Sequence, residues 1–381
     1  MFRQLSNFDK GDNHSPIKIG LIFGGTGPEH EAALAGARAL LDTIDRNKYV
    51  LEQFGIMKNG DWVIGHGTWE FLYASADPDL LPLSIKDYFV EHAAPSPSRF
   101  KRFPPSEKFE TLDCIFPVLD GIGGEDGTLQ GFLSFTQKPI VSCNLLSAAQ
   151  SFNKYVAKRL VRSAGLRTLA EVYVPNSSSA KSVAQEIERT FAHWDLVIKP
   201  NACGSSFGVS RISNPDKLQV ALNLARRFDS NVIIEEYLNA VEISVGVTGK
   251  HPNITVGEPV INTPLKVTIS TYHDKYISPV YSNQYSTSRL PPRVKNQARK
   301  WAKLVYKTLD CDSHARIDLF YQESQDQLYF NELNTQPAIT PTSAFATGIV
   351  EEKRRTYSDS YSYADLLDEL IKTTLIRGQQ I

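Results

Sequence analysis

"HARIDLFYQESQDQLYFNELNT" (314–335) reads as two strands joined by a short polar turn. In a strand, residues two apart share a face. Arg316 and Asp318 therefore point one way on the first strand, as do Glu332 and Asn334 on the second. If the strands pair as a hairpin, two carboxylates and an amide oxygen converge beside one guanidinium. Such a set of hard oxygens suits Mg²⁺ shared with substrate phosphates. The same pattern also suits a solvated strand face with ion pairs.

Working outward, "DLVIKPNACGSSFGVSRI" (195–212) has a strand that delivers Lys199, then a Gly204-Ser205-Ser206 turn. Backbone N–H groups of a small-residue turn can face an anion, and a lysine supplies a point charge. A Gly/Ser hairpin with a surface lysine is the plain alternative, and no GxxxxGK[ST] loop occurs. "VIIEEYLNAVEISVGV" (232–247) places acids at the end of one strand and the start of the next. These could meet ribose hydroxyls, and the linking backbone could meet adenine; taken alone, the stretch reads better as a solvated turn.

"GGTGPEHEAAL" (24–34) puts Glu29 in the first turn of a helix, with Gly27 as N-cap and Pro28 at the first helical position. Free N–H groups and the macrodipole favour a carboxylate there. In a Gly-rich crevice at the carboxyl edge of a sheet, that anion is a receptor for an ammonium group. A simple charge–dipole pairing is the competing reading, and His30 reads as structural. "FPVLDGIGGEDGTLQG" (116–131) carries five glycines and three acids, Asp120, Glu125 and Asp126. It would repel phosphate without a metal, and a helix is expected after Gly127.

The chain has 381 residues, enough for two or three domains. Strands at 17–25, 49–57 and 113–118 alternate with helices, which predicts a doubly wound parallel sheet. Residues 93–106 read as a Pro/Ser-rich surface excursion. A helix is expected at 147–165, capped by Ser147 and stopped by Gly165, with Lys154 inside it. Strands near 169–174, 195–199, 207–212 and 231–237 with helices near 179–191 and 214–227 suit an α+β unit. Strands near 241–248 and 253–262, a Tyr/Ser-rich loop (263–290), a helix at 292–308 and the opening hairpin form a third region. A last helix is signalled by "SYAD" (362–365).

Basic residues number 41 and acidic 42, for a formal charge of −1. That balance leaves no electrostatic footprint for nucleic acid or an anionic membrane. No apolar stretch approaches the roughly 20 residues needed to span a bilayer. The polar N-terminus lacks the apolar core of a signal peptide. The four cysteines (114, 143, 203, 311) show no metal spacing and are expected as buried free thiols. A cytoplasmic address is the expectation.

In this order, "GGTGPEHE", "GGEDGTLQG", "NK" in a helix, "VIKPNACGSSFGVS", "KY", "ARIDLF" and "NELNTQPAIT" resemble the D-alanine–D-alanine ligase branch of the ATP-grasp superfamily. The resemblance runs from about Ile17 to about Thr347. It implies an α/β ATP-grasp fold: an N-terminal doubly wound, Rossmann-like parallel-sheet domain (17–145), after a polar tail (1–16). Two α+β domains enclosing ATP follow, a central one (146–238) and a C-terminal magnesium-binding one (239–381).

Residue by residue, Lys154 and Lys199 match the lysines that contact ATP phosphates, with Ser206 on the same ATP side. Glu235, Glu236, Tyr237 and Leu238 match the adenine-binding linker, and Glu242 the ribose-binding acid. Lys275 and Tyr276 match the pair on a mobile loop that closes over the site. Asp318, Glu332 and Asn334 match the ligands of Mg²⁺, for which Mn²⁺ can stand in. Arg316 matches the arginine that stabilises the tetrahedral intermediate. Glu29 matches the receptor of the first amino acid's ammonium, Ser205 the serine that orders the site with it and Tyr276. Ser343 falls near the second substrate's carboxylate. The resemblance implies small amino-acid substrates, an acyl-phosphate intermediate, a role in peptidoglycan precursor synthesis and a homodimer.

Four positions depart from the family pattern. Its usual His-Gly is Asp120-Gly121 here, Glu-Val-Ser is Glu31-Ala32-Ala33, Met-Asp-Lys is Phe152-Asn153-Lys154, and Pro-Gly is Pro337-Ala338. Asp120 near Glu29 puts two anions around the first substrate's amine, which repel unless a cation sits between them. An altered first substrate, such as one with an additional amine, is the expected consequence. At Ala338 the methyl adds strain if φ is positive. Three readings follow: a D-alanine–D-alanine ligase, a ligase of the same chemistry with another substrate pair in specialised metabolism, or a non-catalytic nucleotide-binding relative.

Overall fold

The apolar run Ile17–Gly24 (β1) is the middle of three parallel strands, flanked by Tyr49–Ile56 (β2) and Cys114–Val118 (β5). This computed structural model describes residues 15–86, 88, 97–104, 106–262, 285–286 and 290–378. Trp62–Ile64 (β3) and Ser98–Phe100 (β4) extend the β2 side antiparallel, so the sheet is mixed at that edge. β4 lies within the stretch read as a surface excursion and is an edge strand, half-buried at Phe100 and otherwise exposed.

β1 is buried on both faces, which is why it reads as a continuous apolar run rather than an alternating one. Helices His30–Thr43 (α1) and Thr68–Ala74 (α2) pack Leu34, Leu40 and Trp69 on one face against Ile19, Leu21 and Phe23. Glu107–Glu110 (α3) and Thr128–Ser134 (α4) cover the other, with Phe109, Leu129 and Leu133 against Ile22, Phe54 and Ile115. The predicted double winding is present. α1 starts at His30 with Glu29 as its N-cap, two residues later than the sequence suggested, because residues 27–29 form a separate turn. Glu29 therefore sits at the mouth of the helix rather than inside its first turn.

The helix expected at 147–165 is two, Leu145–Phe152 (α5) and Lys154–Ser163 (α6). Asn144, not Ser147, caps α5, its side chain accepting from the Ser147 N–H at 2.9 Å. Asn153 leaves helical geometry (φ −80°, ψ 99°) and caps α6, accepting from the Val156 N–H at 3.1 Å. Asparagine side chains compete with the helix for backbone N–H groups, so Asn144 starts α5 and Asn153 breaks the run and restarts it as α6. Gly165, with φ +83°, ends α6 as expected.

Glu171–Val174 (β6), Ala180–Thr190 (α7), Leu196–Pro200 (β7), Ser210–Ile212 (β8), Leu218–Ala225 (α8) and Val232–Glu236 (β9) form the central unit. Its antiparallel order is β6-β9-β7-β8. Val172, Leu196, Ile198, Val232 and Ile234 pack one face onto α7 and α8. By the alternation of strands, Lys199 and Glu235 face the other way, where Glu235 meets Lys158 of α6.

The third sheet holds Val241–Lys250 (β10), Asn253–Val256 (β11), Val260–Asn262 (β12), Tyr285–Ser286 (β13), His314–Gln322 (β14) and Gln327–Asn334 (β15). Its order is β13-β12-β10-β14-β15, with β11 also on β10. Pro292–Thr308 (α9) packs Val294, Ala298, Ala302 and Val305 against Val245, Ile317 and Phe330. Ala344–Thr356 (α10) follows, then Tyr363–Gly378 (α11). α11 opens on the predicted capping box: the Ser362 N–H donates to Asp365 Oδ2 at 2.8 Å, and the Asp365 N–H to Ser362 Oγ at 3.3 Å. α11 then adds Leu366, Leu370 and Ile371 to the core beside α1. All four cysteines are buried. Among the described residues, no helix is long and apolar enough to cross a membrane.

Candidate active site

The opening hairpin forms as anticipated: Arg316 pairs with Asn334 and Asp318 with Glu332 across β14 and β15. Arg316 grips Asp318 in a fork, Nε to Oδ1 at 2.9 Å and Nη2 to Oδ2 at 2.7 Å. Ser244 Oγ, opposite Asp318 on β10, donates to Oδ1 at 2.7 Å, and Asn334 Nδ2 donates to Oδ2 at 2.9 Å. Glu332 Oε2 lies 3.1 Å from Lys154 Nζ, which also donates to the Cys203 carbonyl at 2.7 Å. Burial disfavours the Lys154 charge, but the Glu332 carboxylate outweighs it and the pKa rises. The oxygens of Asp318, Glu332 and Asn334 share one sheet face and are all hard donors, which fits Mg²⁺ or Mn²⁺. Turning the Asn334 amide by 180° would exchange the nitrogen offered to Asp318 for its oxygen.

Lys199 meets Glu235 rather than open solvent. Glu235 takes Lys199 Nζ on Oε2 at 2.7 Å and Lys158 Nζ on Oε1 at 2.6 Å. Burial pushes the Glu235 carboxyl up, but Lys158 and Lys199 together hold it at about 2. Beyond β9, the Tyr237 N–H donates to the Asp195 carbonyl at 2.9 Å, and the Arg211 guanidinium lies 3.4 Å above the Tyr237 ring.

Across from the hairpin, a cavity of about 350 Å³ opens between the first sheet and β14–β15. Glu29 stands in its wall, 2% exposed. Two glycines press on its carboxylate: a Cβ on Gly121 would fall 1.5 Å from Oε2, and one on Gly204 2.3 Å from Oε1. Asp120 and Glu125 line the same cavity. Glu125 accepts from the Gly121 N–H at 3.0 Å and the Gln336 N–H at 3.3 Å. Burial, then Glu29, then Asp120 raise the Glu125 pKa well above the usual range. Asp120 keeps some surface open to the cavity yet is enclosed by protein. Burial and Glu29 push its pKa up to about 7, partly offset by Arg316. Ser205 and Ser206 hold φ of +46° and +59°, a left-handed turn that is uncommon for residues other than glycine.

Of the sequence-predicted residues, Glu29, Asp120, Ser205 and Glu242 line this cavity together with Arg316, Asp318, Glu332 and Asn334. Ala338 and Ser343 line it too. Ala338 does not have positive φ, so its methyl brings no backbone strain. Ser343 caps α10, its Oγ accepting from the Ala346 N–H at 3.2 Å. Lys154, Lys199, Ser206 and the 235–238 segment do not line the cavity. Lys154 reaches its edge through Glu332. Lys275 and Tyr276 lie outside the described residues. His30 is structural as read: its Nδ1 lies 2.8 Å from the Gly25 carbonyl, and burial lowers its pKa.

Sequence reasoning missed Gly121 and Gly204 as the cradle of Glu29, Glu125 as a further cavity carboxylate beside Glu29 and Asp120, and Ser244 as a support of Asp318. It also missed Lys158. Only Glu125 left a signal, as an acid in a loop too negative for phosphate.

A buried glutamate facing paired carboxylates and an arginine, with Lys199 delivered from the central sheet and Lys154 from α6, is the arrangement of an ATP-grasp ligase. Sequence models described as D-ala D-ala ligase N-terminus and C-terminus match residues 18–143 and 160–372. The chain is 32% identical to a D-alanine–D-alanine ligase of Caldicellulosiruptor bescii, covering 96% of both chains. It is 31% identical to D-alanine–D-alanine ligase A of Salmonella typhimurium, covering 95% of this chain and 96% of the relative. The VanG D-Ala:D-Ser ligase from Enterococcus faecalis superposes with a TM-score of 0.75 at 28% identity, over 94% of this chain and 100% of that one. This chain belongs to the D-alanine–D-alanine ligase family.

Proposed function

We propose that the protein joins two small amino acids at the expense of ATP, through an acyl phosphate, with D-alanine as both substrates by its kinship. The observation that carries this reading is the shared cavity, which sets the Glu29 carboxylate opposite Arg316 and Asp318. Glu29 receives the first amino acid's ammonium. Lys154 and Lys199 supply the positive charge that ATP phosphates meet. Asp318, Glu332 and Asn334 would hold Mg²⁺ or Mn²⁺, which when bound neutralises charge on the transferring phosphoryl group.

Phosphoryl transfer to the first carboxylate gives ADP and an acyl phosphate. The second amine then attacks the acyl carbon, and phosphate leaves as the C–N bond forms. Arg316, held in orientation by Asp318, faces the oxyanion of that step, a preorganised charge that needs no reorganisation as the intermediate forms. Ser205 orders the Glu29 side, and Ser343 stands near the second carboxylate. Ser206 serves the phosphates, Glu242 the ribose, and 235–238 the adenine. Lys275 and Tyr276 would close the site by the family resemblance, excluding water from the acyl phosphate. A cytoplasmic homodimer making peptidoglycan precursors completes the reading.

Asp120 favours a second reading of the first substrate. With Glu29 and Glu125 it makes a group of three neighbouring carboxylates in the cavity wall, and repulsion among them is relieved by a proton on Asp120 or by an additional amine on the substrate. The test is product mass from incubations with MgATP and single or paired amino acids. D-alanyl-D-alanine supports the first reading, and a product that contains a diamino acid supports the second.

A further inference from the structure

Lys158 is fully buried on α6, one helical turn beyond Lys154, and does not line the substrate cavity. Its contact is Glu235 Oε1 at 2.6 Å, while Lys199 holds the other oxygen, Oε2, at 2.7 Å. Two lysines thus share one carboxylate; burial lowers the Lys158 pKa, and Glu235, with Glu171 further off, opposes that shift. The two lysines are not equivalent. Lys158 has no surface at all, whereas Lys199 keeps 8% of its own and lies 3.4 Å from Asn331 Oδ1, beside Glu332 on β15.

A lone Glu235–Lys199 pair would resist opening, because the departure of Lys199 toward a phosphate would strand a buried carboxylate. With Lys158 in place, Glu235 stays paired whether or not Lys199 leaves. We propose that Lys158 is a positioning residue for nucleotide binding: as the fixed counter-ion of Glu235, it frees Lys199 to exchange that carboxylate for a nucleotide phosphate. Lys158 acts through Glu235 and touches no substrate. The strong ionisation of Glu235 despite its burial agrees with a carboxylate served by two cations. This role rests on Lys199 facing the nucleotide, as in the proposed function.

The test is a double-mutant cycle read by calorimetric titration of MgATP into the full chain without amino acids, with steady-state kinetics alongside. Lys158→Met is expected to raise the MgATP Kd and KM at least tenfold, with kcat at saturating ATP changed by less than about threefold. Lys158→Arg, which keeps the charge, is expected to recover most of the affinity. In a Glu235→Gln background, Lys158→Met is expected to weaken MgATP by less than about twofold, because its route of action is gone. If Lys158→Met does not fold, the comparison of Glu235→Gln with Lys158→Met/Glu235→Gln still decides. Lys158→Met that folds and binds MgATP like the unmodified protein overturns the proposal. So does equal weakening in both backgrounds. Absence of MgATP binding by the unmodified protein would instead sink the ligase reading.

Discussion

Gly121 and Glu29 occupy space that no other residue at 121 could share: a Cβ there would stand 1.5 Å from Glu29 Oε2, and φ is +73°. The buried carboxylate is therefore fixed by what is missing from its neighbour. Gly204 closes the other side, with a Cβ 2.3 Å from Oε1.

Gly204→Ala isolates the collision, because the backbone there needs no positive φ. It is expected to lower kcat/KM for the first amino acid by about 100-fold, equivalent to about 2.7 kcal/mol, while the MgATP Kd moves less than threefold. Gly121→Ala adds backbone strain and should be more severe, with a stability loss of about 1 kcal/mol or more. Unchanged amino-acid kinetics in Gly204→Ala would show that Glu29 does not receive the substrate.

Asp120 ties pH to stability. Its folded pKa of about 7 lies above the unfolded value, so the native state keeps a proton that the unfolded chain has released. Its contribution therefore falls as pH rises from about 4 to about 7. Asp120→Asn should raise Tm relative to the parent, by more at pH 8 than at pH 5. A Tm difference independent of pH would contradict this assignment.

Asp120→His is expected to change which first amino acids are accepted, shifting preference toward those without an additional amine. Relative kcat/KM over a panel of D- and L-amino acids measures it. An unchanged profile ends the idea that Asp120 sets the first substrate.

Asp318→Asn removes a charge held by Arg316, Ser244 and Asn334 at once. It should lower kcat at least about 10³-fold, raise the Mg²⁺ concentration needed for half activity, and leave the circular dichroism spectrum intact. Ser244→Ala, which removes one hydrogen bond, should cost about 1 kcal/mol of stability. An active Asp318→Asn enzyme would remove Asp318 from the metal and phosphoryl role.

Local patterns in the sequence were enough to place most of this site. The period of two in Arg316/Asp318 and Glu332/Asn334 gave the sheet face, and the hairpin that joins them needed only a short turn. The Ser362–Asp365 capping box and the Gly127 helix start were likewise local. Asn144 and Asn153 were harder, because a polar residue inside an apolar-periodic stretch looks the same whether it caps a helix or faces solvent. The least legible contacts cross between units. Lys158 carries no signal in the sequence, and Glu235 reads as part of a nucleotide linker, until α6 and β9 are packed together. The collision of Gly121 and Gly204 with Glu29 joins three separate segments, and no spacing in the chain announces it.

The most direct test of the whole account is ADP release from MgATP, measured against D- and L-amino acids singly and in pairs, with mass analysis of the products. Release that depends on amino acid, matched by a dipeptide of equal amount, is the predicted result. Tight MgATP binding with no ADP release for any amino acid would contradict it and leave a nucleotide-binding protein without ligase activity.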